Sequence, residues 1–255
     1  MIIDDLIVLG RAVPDRIKNG RITICTAGYS STHGFIRIYP TRLDSPLTRW
    51  NIVSVPVERD NRDHRLESWK IEGSKSEWLR LSRKIKIVDN FSPRKRLNLI
   101  ANLTDDCVQL IREEGRSLGI IKPTIEKTYF AERRGYDKGI QQTLYGEEAT
   151  KTIKNYHYQP RIRFKCSKCK TVMGWHDQQV LEWGVYEWIR KHPNNINEVW
   201  ENLLLYSKKY EIYLLEGNLF LHPNRYMIIS VIRLQKGKIT KPLFPYKKVG
   251  VINNS

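Results

Sequence analysis

Short runs of β-branched and apolar residues, separated by polar turns, dominate the first part of the chain. Arg21–Ala27 and Gly34–Tyr39 are two such runs around the polar loop Gly28–His33, a pattern typical of a β-hairpin. Asn51–Val57 predicts a third strand. Pro56 within it indicates an edge strand or a bulge, because proline has no N–H to donate to a neighbouring strand. The first part of the chain is therefore predicted to be β-rich.

Helical patterns follow between residues 74 and 119. Ser74–Lys84 predicts a helix with one apolar side, and Ser92–Ile100 predicts another, because a serine followed by proline is a common helix start. Thr104 is predicted to cap a third helix, with Cys107 among its inward positions. Two more short strands are predicted at Ile85–Val88 and Lys127–Glu132.

The glycine-rich, polar stretch Arg133–Gly146 predicts a long loop or linker. Beyond it the pattern predicts three strands and two helices. The strands are Arg161–Lys165, Tyr210–Leu215 and Tyr226–Leu234, and the helices are His176–Lys191 and Ile196–Tyr206. Strands and helices without regular βαβ spacing predict an α+β fold. We expect a β-rich region with short helices over residues 1–145, followed by a smaller α/β region over residues 146–255.

The charge is large and unevenly distributed. The 255 residues include 44 basic and 27 acidic side chains, for a net charge of +17. No acidic residue occurs between Ala149 and His176 or between Gly217 and Ser255, and each of these stretches holds seven lysines and arginines. Clustered cations favour phosphate binding through counterion release. The region 146–255 is therefore the predicted nucleic-acid-binding surface, and region 1–145 is the predicted surface for a protein partner.

Sixteen basic residues are predicted to contact phosphates. Three of them follow the loop Gly28–Gly34, whose glycines and hydroxyls could bind a phosphate or could form a plain hairpin turn. The sixteen residues are Arg37, Arg42, Arg49, Lys151, Lys154, Arg161, Arg163, Lys165, Lys168, Lys170, Arg233, Lys236, Lys238, Lys241, Lys247 and Lys248. A basic surface that serves only solubility is the alternative. The sequence has neither an apolar run near the ~20 residues of a membrane span nor a signal-peptide pattern, so we expect a cytoplasmic protein without membrane insertion.

Cys166 and Cys169 form a Cys-x2-Cys pair, and six residues separate Cys169 from His176. Two thiolates on a turn with a nearby imidazole are typical of half a structural zinc site, a zinc knuckle. The fourth ligand is left open among His157, Asp177, His192 and His222. The alternative is a pair of reduced cysteines in a β-turn, one of them packed inward.

An acidic cluster offers a second kind of chemistry. Asp60, Asp63 and Glu67 follow a predicted strand, with Lys70 nearby, as in a metal-dependent nuclease. Arginines alternate with these acids and would compete with a cation, so a salt-bridge network is the favoured interpretation.

Three segments resemble a known group of proteins: Ile24–Pro40, Val57–Ile71 and Phe164–Trp188, about a quarter of the chain. They are similar to small partner proteins of short prokaryotic Argonautes, from prokaryotic defence loci. The resemblance implies a subunit that replaces the N-terminal lobe missing from a short Argonaute and helps to hold a guide–target duplex.

We therefore expect a non-catalytic nucleic-acid-binding subunit of a heteromeric complex in prokaryotic antiviral defence, with one structural zinc ion and DNA or RNA held through its backbone. The alternative is a metal-dependent nuclease or another nucleic-acid-modifying enzyme that uses the acidic cluster. A transcriptional regulator is a third hypothesis, which the lack of a clear helix-turn-helix pattern weakens.

Overall fold

The computed structural model describes residues 1–17, 20–134 and 151–237. Most of the predicted linker, and the predicted phosphate contacts Lys238, Lys241, Lys247 and Lys248, lie outside the described residues. The strands are β1 (Ile2–Arg11), β2 (Asp15–Arg16), β3 (Ile22–Ser30), β4 (Gly34–Thr41), β5 (Asn51–Glu58), β6 (Ser68–Ile71), β7 (Lys86–Asn90), β8 (Thr104–Asp105), β9 (Leu118–Ile121), β10 (Thr124–Glu132), β11 (Tyr158–Lys165), β12 (His176–Gln179), β13 (Tyr210–Asn218) and β14 (Tyr226–Gln235). The helices are α1 (Pro93–Asn102), α2 (Val108–Glu113), α3 (Trp183–Lys191) and α4 (Glu198–Asn202), with 3₁₀ helices at Lys75–Lys84 and Ile153–Asn155.

Five strands form a closed ring in the order β1, β3, β4, β6 and β5, because β5 also pairs with β1. The β4–β6 pair is parallel and the other pairs of the ring are antiparallel. Alternate residues of β5, namely Val53, Val55 and Val57, are fully buried in the cluster inside the ring, as the period of two in a strand requires. The 3₁₀ helix at residues 75–84 adds Leu81 to this cluster.

Strand β5 has partners on both sides, so the edge-strand alternative for Pro56 is wrong. The register of the β1–β5 pair shifts between Ile3 and Leu6, next to the Ile2–Pro56 pair rather than at it. On one side β5 pairs with β7 as far as Ser54 and with β6 from Val57 onward. The carbonyl of Pro56 accepts from the Glu72 amide on this side. The N–H that proline lacks would face the Glu72 carbonyl, and this carbonyl instead accepts from Lys84 Nζ over 3.0 Å.

A four-stranded sheet, in the order β14, β13, β9 and β8, forms the central layer. Both faces of β13 are buried: Tyr213 and Leu215 pack with the outside of the ring and α1, while Ile212 and Leu214 pack on the opposite side. The second side is covered by α2, α3, α4 and a three-stranded antiparallel sheet in the order β10, β11 and β12. The four-stranded sheet therefore joins the ring to the part of the molecule that carries the cysteine pair.

The α+β class with a β-rich first part is confirmed. Pairing also crosses the predicted division at residue 145, which itself lies outside the described residues: β9 pairs with β13, and β10 pairs with β11. None of the helices in the described ranges has the length and apolar composition needed to cross a bilayer.

Two local predictions are wrong. His176 begins strand β12 rather than a helix, because residues 176–179 pair with β11, and helix α3 starts only at Trp183. The residue that caps α2 is Cys107 rather than Thr104, which lies in β8. The first correction places the imidazole of His176 at the start of a strand, and the second places the thiol of Cys107 at the start of a helix.

Candidate metal centre

Four side chains from three parts of the chain meet at one point. Cys166 follows the end of β11, Cys169 lies in the turn after it, His176 opens β12, and Cys107 caps the N-terminus of α2. Their ligand atoms all lie within 4.8 Å of one another. The predicted trio is therefore brought together, and with Cys107 it forms a group that could hold a metal ion.

The group lies at the edge of the core rather than on the surface. Cys107 and Cys166 are buried, and Cys169 and His176 are half-buried. Phe164, which faces His176 across the β11–β12 pair, stacks on its ring with centroids 5.3 Å apart. The hairpin therefore fixes the imidazole before any ion binds, which reduces the entropy lost on coordination.

The environment changes the protonation of these groups. Burial raises the pKa of the Cys166 thiol, and the neighbouring Cys107 adds to the rise although the Val108 amide opposes it. Burial would also raise the pKa of Cys169, but hydrogen bonds from Thr171 lower it. Burial lowers the pKa of His176, which favours the neutral imidazole that metals bind. A cation would stabilise the closely spaced thiolates that burial alone disfavours.

Contacts around the cysteines hold the turn against α2. The Gln109 amide donates to Cys107 Sγ over 3.5 Å. Lys168 Nζ lies 2.9 Å from a carboxylate oxygen of Asp106, and the Ser167 hydroxyl donates to the Asp106 carbonyl over 3.2 Å. The Cys-x2-Cys turn is thus fastened to the residue that precedes Cys107, as outer-shell contacts commonly fasten metal ligands.

The fourth member of the group was not among the predicted ligands. The ring of His157 stacks on Tyr158, the ring of His192 stacks on Trp188, and Asp177 is held by arginines. His222 lies in the loop between β13 and β14. Cys107 was predicted only as an inward helix position, and its separation from Cys166 gives no spacing pattern. The signal that the sequence offered is the small number of cysteines, because Cys107 is one of only four in the chain.

A polar network covers the three-stranded sheet next to this centre. Arg161 Nε donates to Asp177 Oδ1 over 2.9 Å, and Arg163 lies 3.1 Å from Asp177 Oδ2. The Tyr129 hydroxyl donates to the same carboxylate over 2.8 Å, and the guanidinium of Arg163 lies 4.2 Å from the ring centre of Trp175. Burial would raise the pKa of Asp177, but hydrogen bonds from Tyr129, Arg161 and Arg163 lower it. The guanidinium groups of Arg161 and Arg163 thus share one carboxylate, which stays ionised between them.

The other predicted phosphate contacts differ in accessibility. Lys154, Lys165, Lys168, Lys170, Arg233 and Lys236 are exposed, and Arg42, Arg49 and Lys151 are half-buried. Several pair with acids: Arg42 with Asp44, Arg49 with Glu182, Lys165 with Glu126, Lys168 with Asp106, and Lys170 with Glu113. The prediction for Arg37 is wrong, because its side chain is 3% exposed and donates to the Ser117 carbonyl over 2.8 Å. It joins the ring to the central layer.

The acidic cluster is a set of separate pairs. Asp60 pairs with Arg62 at 2.8 Å and Asp63 with Arg65 at 2.6 Å. The Ser117 amide donates to Glu67 over 2.8 Å, and Lys70 pairs with Glu58 at 3.0 Å. Arg62 lowers the pKa of Asp60 to about 2. Within the described ranges, these acids do not form a group with metal-binding spacing.

A family model described as a domain of unknown function (DUF8758) matches residues 3–100. No curated protein and no solved structure matches the chain. The matched residues contain the strand ring and most of α1, and they end before Cys107, the first residue of the metal centre.

Proposed function

We propose that Cys107, Cys166, Cys169 and His176 bind one zinc ion. Three cysteines and one histidine are a common donor set of structural zinc sites. Cys107 Sγ and His176 Nε2 lie 3.6 Å apart. Typical zinc–sulfur and zinc–nitrogen bonds at a tetrahedral angle give an S···N separation of about 3.6 Å. The geometry therefore supports zinc without rearrangement of these two ligands.

The zinc ion would have a structural role. Four protein ligands leave no open coordination position for water or a substrate, which catalytic zinc requires. The ion would tie the N-terminus of α2 to both strands of the β11–β12 hairpin, and so would hold the exposed face of the three-stranded sheet in place.

We further propose that this face binds nucleic acid as a non-catalytic subunit. The observation that carries the proposal is the alternation of Arg161, Arg163 and Lys165 along β11, with Tyr129 and Trp175 beside them. Alternate residues of a strand share one face, so these cations point away from the buried Ile162 and Phe164. Cations beside aromatic rings are typical of surfaces that track a nucleic-acid backbone and stack on bases.

The ion pairs on this face do not prevent phosphate binding. The side chains of Lys165, Lys168 and Lys170 are 53%, 75% and 52% exposed, and their acidic partners are also solvent-accessible. Ion pairs of this kind contribute about 0–1 kcal/mol, so a phosphate can replace the carboxylate at little cost. Arg161 and Arg163 share one carboxylate, which leaves a net positive charge between them.

The test compares two triple variants of the full chain. Lys165→Ala/Lys168→Ala/Lys170→Ala removes three cations beside the metal centre. Lys191→Ala/Lys208→Ala/Lys209→Ala removes three exposed cations elsewhere and changes the net charge equally. Fluorescence anisotropy with single-stranded and duplex oligonucleotides measures affinity as a function of salt. We expect the first variant to reduce the salt slope by about three, and the control to keep it. Equal slopes in both variants would remove this face from the proposal.

The proposed protein partner is a short Argonaute, and the three resembling segments are its support. Co-purification of the full chain with such a protein tests it, and the Lys165/Lys168/Lys170 variant should remain in the complex. Magnesium-dependent cleavage of nucleic acid by the wild-type chain, lost in Asp63→Ala, would instead favour the nuclease hypothesis.

A further inference from the structure

A cleft of about 450 Å³ opens beside the metal centre, between β12 and the start of β14. Val180, just after β12, pairs with Ile228 in β14. The residues that precede these two, Gln178 and Met227 among them, line the walls of the cleft. The volume lies within the range of about 300–1,000 Å³ typical of small-ligand sites.

Two arginines from different elements line the cleft and give it a positive charge. Arg112 comes from α2 and Arg225 from the loop between β13 and β14, and both are exposed. Neither has an acidic partner within the described parts of the chain. Arg161 also lines the cleft, together with Asp177, to which it is bonded. The cationic side chains therefore outnumber the acidic ones, and an anionic group is the expected ligand.

A buried hydrogen-bond acceptor lines the same cleft. The Gln178 side chain is 7% exposed, and its Oε1 atom has no hydrogen-bond partner among the described residues. An unsatisfied buried polar atom is unfavourable, so a ligand N–H that reaches it would be stabilised. Glutamine side chains pair in this way with the hydrogen-bonding edges of bases.

We propose that this cleft binds one nucleotide unit, with its phosphate between Arg112 and Arg225 and an N–H of its base donating to Gln178 Oε1. The proposal rests on the proposed function, because it takes nucleic acid as the class of ligand. It adds a site for one unpaired nucleotide, at the edge of the sheet face that is proposed to contact the nucleic-acid backbone. The chemistry requires a phosphate and a base with an N–H donor, which AMP supplies through its exocyclic amino group.

The test titrates the full chain with AMP, adenosine and inorganic phosphate, followed by calorimetry. We expect AMP to bind more tightly than either fragment. Arg112→Ala/Arg225→Ala should weaken AMP binding about tenfold or more, because each arginine donates charged hydrogen bonds. The matched control Arg80→Ala/Arg83→Ala removes two exposed arginines from the 3₁₀ helix at residues 75–84 and should leave AMP binding unchanged.

Gln178→Met tests the base contact separately. It should reduce the preference for AMP over inorganic phosphate while phosphate binding stays, and this ratio is insensitive to a small loss of stability. AMP affinity that is equal in wild type and Arg112→Ala/Arg225→Ala would overturn the cleft proposal. If oligonucleotide binding still depends on Lys165, Lys168 and Lys170 in that case, the proposed function stands. If no oligonucleotide binds, the proposed function fails as well.

Discussion

Cys107 is the metal-centre residue farthest from the others in sequence, and it connects helix α2 to the knuckle. We predict that Cys107→Ser lowers the zinc content and the stability of the protein, by several kcal/mol if the ion contributes as in other small metal sites. Cys25→Ser is the matched control, because Cys25 is half-buried and accepts from Arg37 outside the group. Elemental analysis and thermal unfolding provide the measurements. One zinc per chain in Cys107→Ser would contradict the assigned ligand set.

Glu216 is a fully buried carboxyl group in β13, and neither of its oxygens has a hydrogen-bond partner in the described structure. Burial raises its pKa from 4.5 to about 8, and the neighbouring Gln178 side chain offsets this only in part. The folded state therefore keeps a proton that the unfolded chain has lost. Its contribution to stability is present below pH 4.5 and is lost as the pH rises to about 8.

We predict that Glu216→Gln makes the protein more stable above pH 8 and flattens its stability between pH 4.5 and pH 8. The gain is at most a few kcal/mol, since one pKa unit corresponds to about 1.4 kcal/mol. Urea unfolding at several pH values measures it, with the exposed Glu201→Gln as control. A pH profile identical to that of the wild type would show that Glu216 is not buried as described.

At the scale of elements, β1 and β14 approach each other closely at Gly10. A Cβ atom on Gly10 would lie 2.5 Å from the Cβ atom of Ser230, which a rotamer change cannot relieve. We predict that Gly10→Ala destabilises the protein by about 1–3 kcal/mol through overpacking. Gly184→Ala in α3 is the control, because its nearest neighbour is 3.6 Å away, and alanine favours a helix. Equal stability of the two variants would contradict this packing of the ring on the central layer.

The elements that local pattern determines were predictable, and those that depend on distant partners were not. The strand at Asn51–Glu58 follows from alternating valines, and α1 follows from Ser92 and Pro93. Residues 176–179 have no apolar pattern of their own and become a strand because β11 pairs with them. The predicted Cys166, Cys169 and His176 share one hairpin, whereas Cys107 reaches them only through tertiary packing.

At the scale of the whole molecule, the hydrophobic core is continuous between the two regions predicted from the sequence. Leu118 and Ile120 from the first region share one cluster with Tyr213 and Leu215 from the second. Removal of the second region would expose this apolar surface to water, at a cost of roughly 25 cal/mol per Å². Binding experiments therefore need the full chain, in which the basic sheet face and the ring keep their packing.

The net charge of +17 and the cations around the three-stranded sheet predict that the full chain binds nucleic acid with a steep dependence on salt. Lys127, Arg161, Arg163, Lys165, Lys168 and Lys170 lie on or beside this sheet. If six such cations meet phosphates, the affinity for duplex DNA should fall by roughly 10³ between 50 and 200 mM salt. A salt titration of the zinc-loaded full chain measures this directly. We predict a steep linear fall of log affinity with log salt, and an absence of binding or a flat titration would contradict the account.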